Sequence, residues 1–149
     1  MMSKKQLYIV IVGCGRLGSF LANKLSRDGH SVVILDIDKS KFKNLSAEFS
    51  GFTIEGDAIE SAVLKQAKID KADAMISVTR EDNANLMISQ IAKKIYKVPK
   101  VMARIFDLKR EEVFRQLGIE TISSISIAGD VFLRSIRNFV TLPENEHIQ

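Results

Sequence analysis

Short β-branched and aliphatic runs alternate with amphipathic stretches along most of the chain. The runs fall at 7–12, 31–36, 52–55, 74–78, 101–104 and 121–123. Tyr8-Ile9-Val10-Ile11-Val12 is continuously apolar, as a strand covered on both faces requires. Of the stretches between, 16–27, 82–94 and 107–116 carry the clearest helical period. The first sets Leu17, Phe20, Leu21 and Leu25 on one face, and Gly29 follows as a stop. The second does the same with Leu86, Met87, Gln90, Ile91 and Lys94, and the third sets Leu108, Val113 and Phe114 against Lys109, Arg110, Glu111 and Glu112. Asp38 and Asp107 are suited to cap first turns, because a short carboxylate accepts their unpaired N–H groups. Strands alternating with helices predict an α/β fold: a Rossmann-like, doubly wound, parallel six-stranded sheet with helices on both faces.

A chain of 149 residues, 46% of them hydrophobic, has material for one packed core, which excludes wholesale disorder. We expect a single domain over 1–140 and a polar tail over 141–149 that frays; no linker, low-complexity tract or internal repeat interrupts it. No apolar run approaches bilayer length, and Met1-Met2-Ser3-Lys4-Lys5 leads into a strand without a cleavage signature. The expectation is a soluble, cytoplasmic protein without direct membrane insertion. The net charge of +4 is too small for a dedicated nucleic-acid binder, and the Lys39, Lys41, Lys43 cluster lacks aromatic or helix-turn-helix support. One cysteine, Cys14, and two distant histidines, His30 and His147, predict neither a disulfide nor a Cys/His metal site.

Chemistry concentrates in Gly13-Cys14-Gly15-Arg16-Leu17-Gly18, a G-x-G-x-x-G that follows the first strand and opens the first helix. The first glycine permits a tight turn, the second lets a pyrophosphate reach the backbone, and the third lets helix and strand pack closely. The helix N-terminus then offers unpaired N–H groups and partial positive charge to phosphates. Asp36 ends the second strand, where an acid hydrogen-bonds the ribose hydroxyls of an adenine nucleotide and repels a 2′-phosphate, so NADP is disfavoured. Arg16 brings a permanent cation to the mouth of the phosphate site. Cys14, where a helix end could depress a thiol pKa, reads as a small filler side chain. Gly56-Asp57-Ala58, Val78-Thr79 and Arg104 fall at carboxyl ends of strands, where open α/β sheets bind ligands.

The ordered set of these motifs resembles the RCK/KTN (TrkA N-terminal) domain family of potassium-uptake and potassium-channel regulators. The resemblance rests on 11–18, 33–36 and 56–58, on Ala72-Asp73-Ala74 with Val78-Thr79-Arg80-Glu81-Asp82-Asn83-Ala84-Asn85, and on 101–104 and 114–119. It implies a cytosolic gating ring built from homodimers, lying at the inner face of the membrane against an integral-membrane potassium-translocating subunit. It also implies a ligand among NAD(H), ATP, ADP and AMP. By motif position, Gly13 to Leu17 would hold phosphates, Asp36 the ribose, Asp57 and Ala58 the adenine edge, and Val78, Thr79 and Arg104 the remaining pocket. Many members carry a second ligand-binding lobe after the Rossmann core, for which this length leaves no room.

The same cofactor site also serves hydride transfer, so an NAD-dependent oxidoreductase domain or fragment is the alternative. That chemistry needs a proton donor or acceptor near the nicotinamide, and no His, Tyr or Lys is evidently placed for it. The non-enzymatic reading is favoured. Val113, Phe114, Leu117, Val131, Phe132, Ile136 and Phe139 exceed what one small core easily buries, which predicts a homodimer or larger ring through the last two helices.

Overall fold

The computed structural model describes residues 5–141. Met1–Lys4 and the predicted tail from 142 onward, His147 included, lie outside the described residues. Six strands form one sheet: β1 (Tyr8–Val12), β2 (Ser31–Asp36), β3 (Phe52–Glu55), β4 (Ala74–Ser77), β5 (Lys100–Arg104) and β6 (Glu120–Ile122). All five pairings are parallel, in the order β3-β2-β1-β4-β5-β6. The doubly wound fold is as the alternation predicts. The chain winds outward from β1 through β2 and β3, then returns to lay β4 on the other side of β1, with Val12 registered against both Leu35 and Ser77. This reversal opens a crevice at the carboxyl ends of β1 and β4.

The helices are α1 (Arg16–Arg27), α2 (Ser61–Gln66), α3 (Asp82–Gln90), α4 (Glu111–Gln116) and α5 (Ser124–Val140). Alternate strand residues supply two cores, one per sheet face. Ile9, Ile11, Val32 and Ile34 meet Leu17, Leu21 and Leu25 of α1. Val10, Val12, Val33 and Leu35 face Val63 and Leu64 of α2 and Ile88 of α3. Beneath β5, Ala103 and Ile105 close on Phe114 of α4 and Ile119.

Several details differ from expectation, each for a local reason. The α-helical pattern of α3 stops at Gln90 and continues as one π-helical turn over Ile91–Ile95, closed by Tyr96 N–H donating to the Ile91 carbonyl at 3.2 Å. Asp38 and Asp107 do cap first turns, but of 3₁₀ segments, Lys39–Asn44 and Leu108–Arg110; the latter runs directly into α4. Phe20 is not on the packed face of α1 but 56% exposed, under the Lys24 ammonium. The packed stripe of α3 carries Asn85, Ile88 and Ser89, so Met87 lies half exposed. Phe114 is fully buried and Leu117 leans on the same core, so neither joins the predicted oligomer surface. Val113 of α4 and Val131, Phe132, Ile136 and Phe139 of α5 are exposed, and no residue of α5 is buried. Among the described residues no helix is long and apolar enough to cross a membrane.

Candidate functional site

The glycine loop joins β1 to α1 in a shape its sequence dictates. Gly13 has φ +103°, and a Cβ there would stand 2.9 Å from the Val78 carbonyl oxygen. A Cβ on Gly18 would lie 1.7 Å from the Gly13 carbonyl oxygen, so the first turn of α1 folds tightly onto the loop before it. Gly15 differs from both. Nothing lies within 4 Å of where its Cβ would be, and its φ of −76° suits any residue. Its missing side chain is therefore not needed for packing; it leaves the loop backbone open toward the crevice. That opening, beside the first N–H groups of a 12-residue helix, is what a phosphate needs to approach.

Asp36 ties the loop down from the next strand. One carboxylate oxygen accepts the Cys14 N–H at 2.8 Å, and the other accepts the Asp38 N–H at 2.9 Å. Two of the four lone-pair positions are thus engaged by backbone, which leaves acceptor capacity for hydroxyls in the crevice. Cys14 turns its side chain away, fully buried, with Sγ 3.5 Å from the Lys41 carbonyl oxygen. Burial pushes its thiol up to about 11, the Asp36 charge adding to the rise and Lys41 opposing it. A helix end does not activate this cysteine; it is filler. Beyond β3, Asp57 accepts the Ile59 N–H at 3.0 Å in a tight turn that carries the buried Ala58.

The opposite wall hangs on one side chain. Asn85, fully buried on α3, accepts the Ser77 hydroxyl (2.9 Å), the Thr79 N–H (3.0 Å) and the Thr79 hydroxyl (2.6 Å). Its amide donates to the carbonyls of Thr79 (3.1 Å) and Arg104 (3.0 Å). One amide thereby fixes the ends of β4 and β5 together. Arg104 then folds over this wall, with Nη2 donating to the carbonyls of Val78 (2.7 Å) and Thr79 (3.2 Å) and the Phe106 ring 4.6 Å from its guanidinium carbon. The Arg104 pKa is lowered, first by burial and then by the neighbouring Arg80 charge, with Asp82 acting the other way.

These walls enclose a crevice of about 590 Å³, within the range of small-molecule sites. Gly13, Gly15, Arg16, Asp36, Asp57, Ala58, Val78, Thr79 and Arg104 line it together. Cys14, Leu17 and Gly18 do not: they build the loop from behind. Sequence reasoning missed Ile37, Lys41, Arg80 and Phe106, which also line the crevice. A usable signal existed for Arg80 and Phe106, since the first directly follows Thr79 and the second lies two positions beyond Arg104, both assigned to the site. Among the described residues no group of three or more His, Cys, Asp or Glu could hold a metal ion.

Residues 9–125 match the TrkA-N domain family. The chain belongs to that family. It is 37% identical over 130 residues to the Trk system potassium uptake protein TrkA of Streptomyces coelicolor, covering 87% of this chain and 58% of that protein. It is 36% identical over 113 residues to a TrkA homolog of Pyrococcus abyssi, covering 74% and 49%. The chain thus spans about half the length of the curated relatives it matches. Among solved structures, the RCK domain of GsuK superposes with a TM-score of 0.77 at 20% identity, over 94% of this chain and 30% of that one. The Kef C-terminal domain of Shewanella denitrificans, solved in AMP-bound form, gives 0.77 at 21% identity, over 91% and 82%. The TrkA-N family pattern ends at 125, so nearly all of α5 lies beyond it.

Proposed function

We propose that this TrkA-N domain binds an adenine nucleotide, NAD(H) or ATP, ADP or AMP, in the crevice between β1 and β4. Through ligand-dependent changes of shape it regulates a membrane-embedded potassium transporter or channel. The observation that carries the reading is the contrast within the glycine loop: Gly13 and Gly18 are forced by packing, whereas Gly15 is open to the crevice that the Asp36 carboxylate also lines. Glycine-loop N–H groups take the phosphates, Asp36 the ribose hydroxyls, and Asp57 and Ala58 the adenine edge. The names of the relatives support the potassium-uptake setting. Neighbours in fold include GsuK with NAD, GsuK with ADP and the Kef domain with AMP, which supports the ligand class.

Regulation follows if the nucleotide has different affinities for two arrangements of an assembly. The apolar face of α5 supports a homodimer or larger ring that contacts the translocating subunit at several points. The domain acts from the cytoplasm in this reading, as a ligand-responsive part and not as an enzyme.

Calorimetry tests the site directly. NAD should bind and NADP should bind more weakly. Gly15→Ala should lower nucleotide affinity by about tenfold or more by blocking the approach to the backbone, with an unchanged melting temperature because the new methyl meets nothing. NADP binding as tightly as NAD would remove Asp36 as the ribose ligand. Unchanged affinity in Gly15→Ala would remove the loop as the phosphate site.

A further inference from the structure

The end of the sheet opposite the crevice has a charge character of its own. α2 and α3 run back from the crevice end, and the chain then enters β4 and β5, neighbours whose first residues pair as Ala74 and Lys100. The passage from α2 into β4 brings Lys65, Lys68 and Lys71 to this end. The passage from α3 into β5 brings Lys93, Lys94, Lys97 and Lys100, with no acid between them. All of these lysines are exposed. Acids at the same strand starts are fewer and partly engaged. Asp73 accepts the Tyr8 N–H at 2.8 Å and Glu120 pairs with Lys100 at 2.6 Å, which leaves Asp70. Among the described residues Lys65, Lys68, Lys71, Lys94 and Lys97 take part in no ion pair.

Helix ends explain only part of this cluster. Lys65, Lys93 and Lys94 stand in last turns, where a cation complements the helix dipole. Lys68 and Lys97 stand on connections, at φ 55° and 56°. Every other positive φ among the described residues belongs to a glycine, which takes that conformation with less strain. Two lysines thus hold positions where the backbone alone favours glycine. Ile95 lies among the lysines and is 67% exposed, at the end of the π-helical turn. The nearby aromatic ring is not available for stacking, since Tyr96 packs on the core and its hydroxyl lies 3.3 Å from that of Ser61. Point charges around one aliphatic side chain, without arginine forks or stacking rings, do not suit a nucleic acid. They suit anionic lipid headgroups, where ammonium groups meet phosphates and an aliphatic side chain enters the interface.

We propose that the lysine cluster around Ile95 is a docking surface for an anionic lipid bilayer. The contact is peripheral, made by side chains at the amino ends of β4 and β5, and it turns the nucleotide crevice away from the bilayer. It does not depend on what the crevice holds.

Co-sedimentation of the whole chain with lipid vesicles tests this, using phosphatidylcholine alone and phosphatidylcholine with an equal part of phosphatidylglycerol. The chain should pellet with the anionic vesicles and not with the neutral ones. Salt should release it, as the Debye length falls from about 10 Å at 0.1 M to about 3 Å at 1 M. Lys68→Gly together with Lys97→Gly should lower vesicle partitioning by about fivefold per lysine. The melting temperature should hold or rise in that variant, because glycine relieves the left-handed backbone, so weaker binding is not lost folding. Ile95→Ser should also weaken binding, without changing its salt dependence. Lys39→Ala together with Lys43→Ala removes the same charge beyond the crevice end of β2, and should leave partitioning within about twofold. Absence of binding to the anionic vesicles would overturn the proposal. Equal losses in the two double variants would overturn it too, by tracing the binding to net charge alone. Tighter retention on duplex DNA or on polyglutamate, at the same ionic strength, would give the surface to a nucleic acid or an acidic protein instead.

Discussion

Helices α1 and α5 are both amphipathic, and the fold treats them in opposite ways. α1 buries Gly18, Ser19 and Ala22 and rests Leu17, Leu21 and Leu25 on the sheet, whereas the longer α5 buries nothing and leaves Phe132 74% exposed. The glycines within them make the same contrast. A Cβ on Gly18 would strike backbone at 1.7 Å, while one on Gly129 would meet nothing within 4 Å. An apolar stripe states that a face must be covered. It does not state whether the cover comes from the same chain. α1 answers from within, and no described part of the chain covers α5.

The largest effect should come from Gly18→Ala. Its methyl cannot fit against the Gly13 carbonyl, so the loop or α1 must move, at a cost of about 3 kcal/mol or more. Chemical denaturation should show this loss; a variant as stable as the unmodified chain would break the contrast at α1. Next in size is Phe132→Asp, which should dissociate an assembly held by α5. It should leave the stability of the single chain within about 0.5 kcal/mol, as at other exposed positions. Light scattering across a dilution series reads the first, and melting at low concentration the second. An unmodified chain that stays monomeric at high concentration would sink the oligomer reading. The smallest effect is Gly129→Ala, which should stabilise α5 by about 0.5–1 kcal/mol because a helix-interior glycine loses more backbone freedom than alanine. A loss instead would show that a partner's backbone packs closely there.

How far the sequence could be read depends on which residues do the packing. The bounds of α1 were legible to the residue because Gly15 opens it and Gly29 follows its end at φ +91°, although Phe20 departs from the packed face that the period assigns it. The stripe of α3 was misread because two of its buried positions are polar. Asn85 and Ser89 look like surface in a hydropathy pattern, yet the Asn85 amide meets the hydrogen bonds of two strand ends inside the protein. Phe114 was assigned to a surface because sequence gives no measure of how deep a short helix sits. Within the site, Gly13, Gly15, Asp36 and Asp57 were legible since each ends a strand or lies within three residues of a strand end at the crevice. Lys41, Arg80 and Phe106 lie on connections, and where a connection turns depends on bonds made elsewhere, such as the Asp82 carboxylate drawing in the Phe106 and Asp107 amides.

Asp36 has a consequence for how such a site can be altered over evolutionary time. Its carboxylate lines the crevice, and its two oxygens fasten the glycine loop at Cys14 and the turn at Asp38. A lineage that moved toward a 2′-phosphorylated ligand by exchanging this acid for a small neutral residue would lose two anchors at the moment it gained tolerance for the new group. The loop would then need a replacement acceptor from another position before or together with that exchange. The side chain at this position is therefore tied to the architecture of the loop, and exchanging the acid alone would cost the loop both anchors.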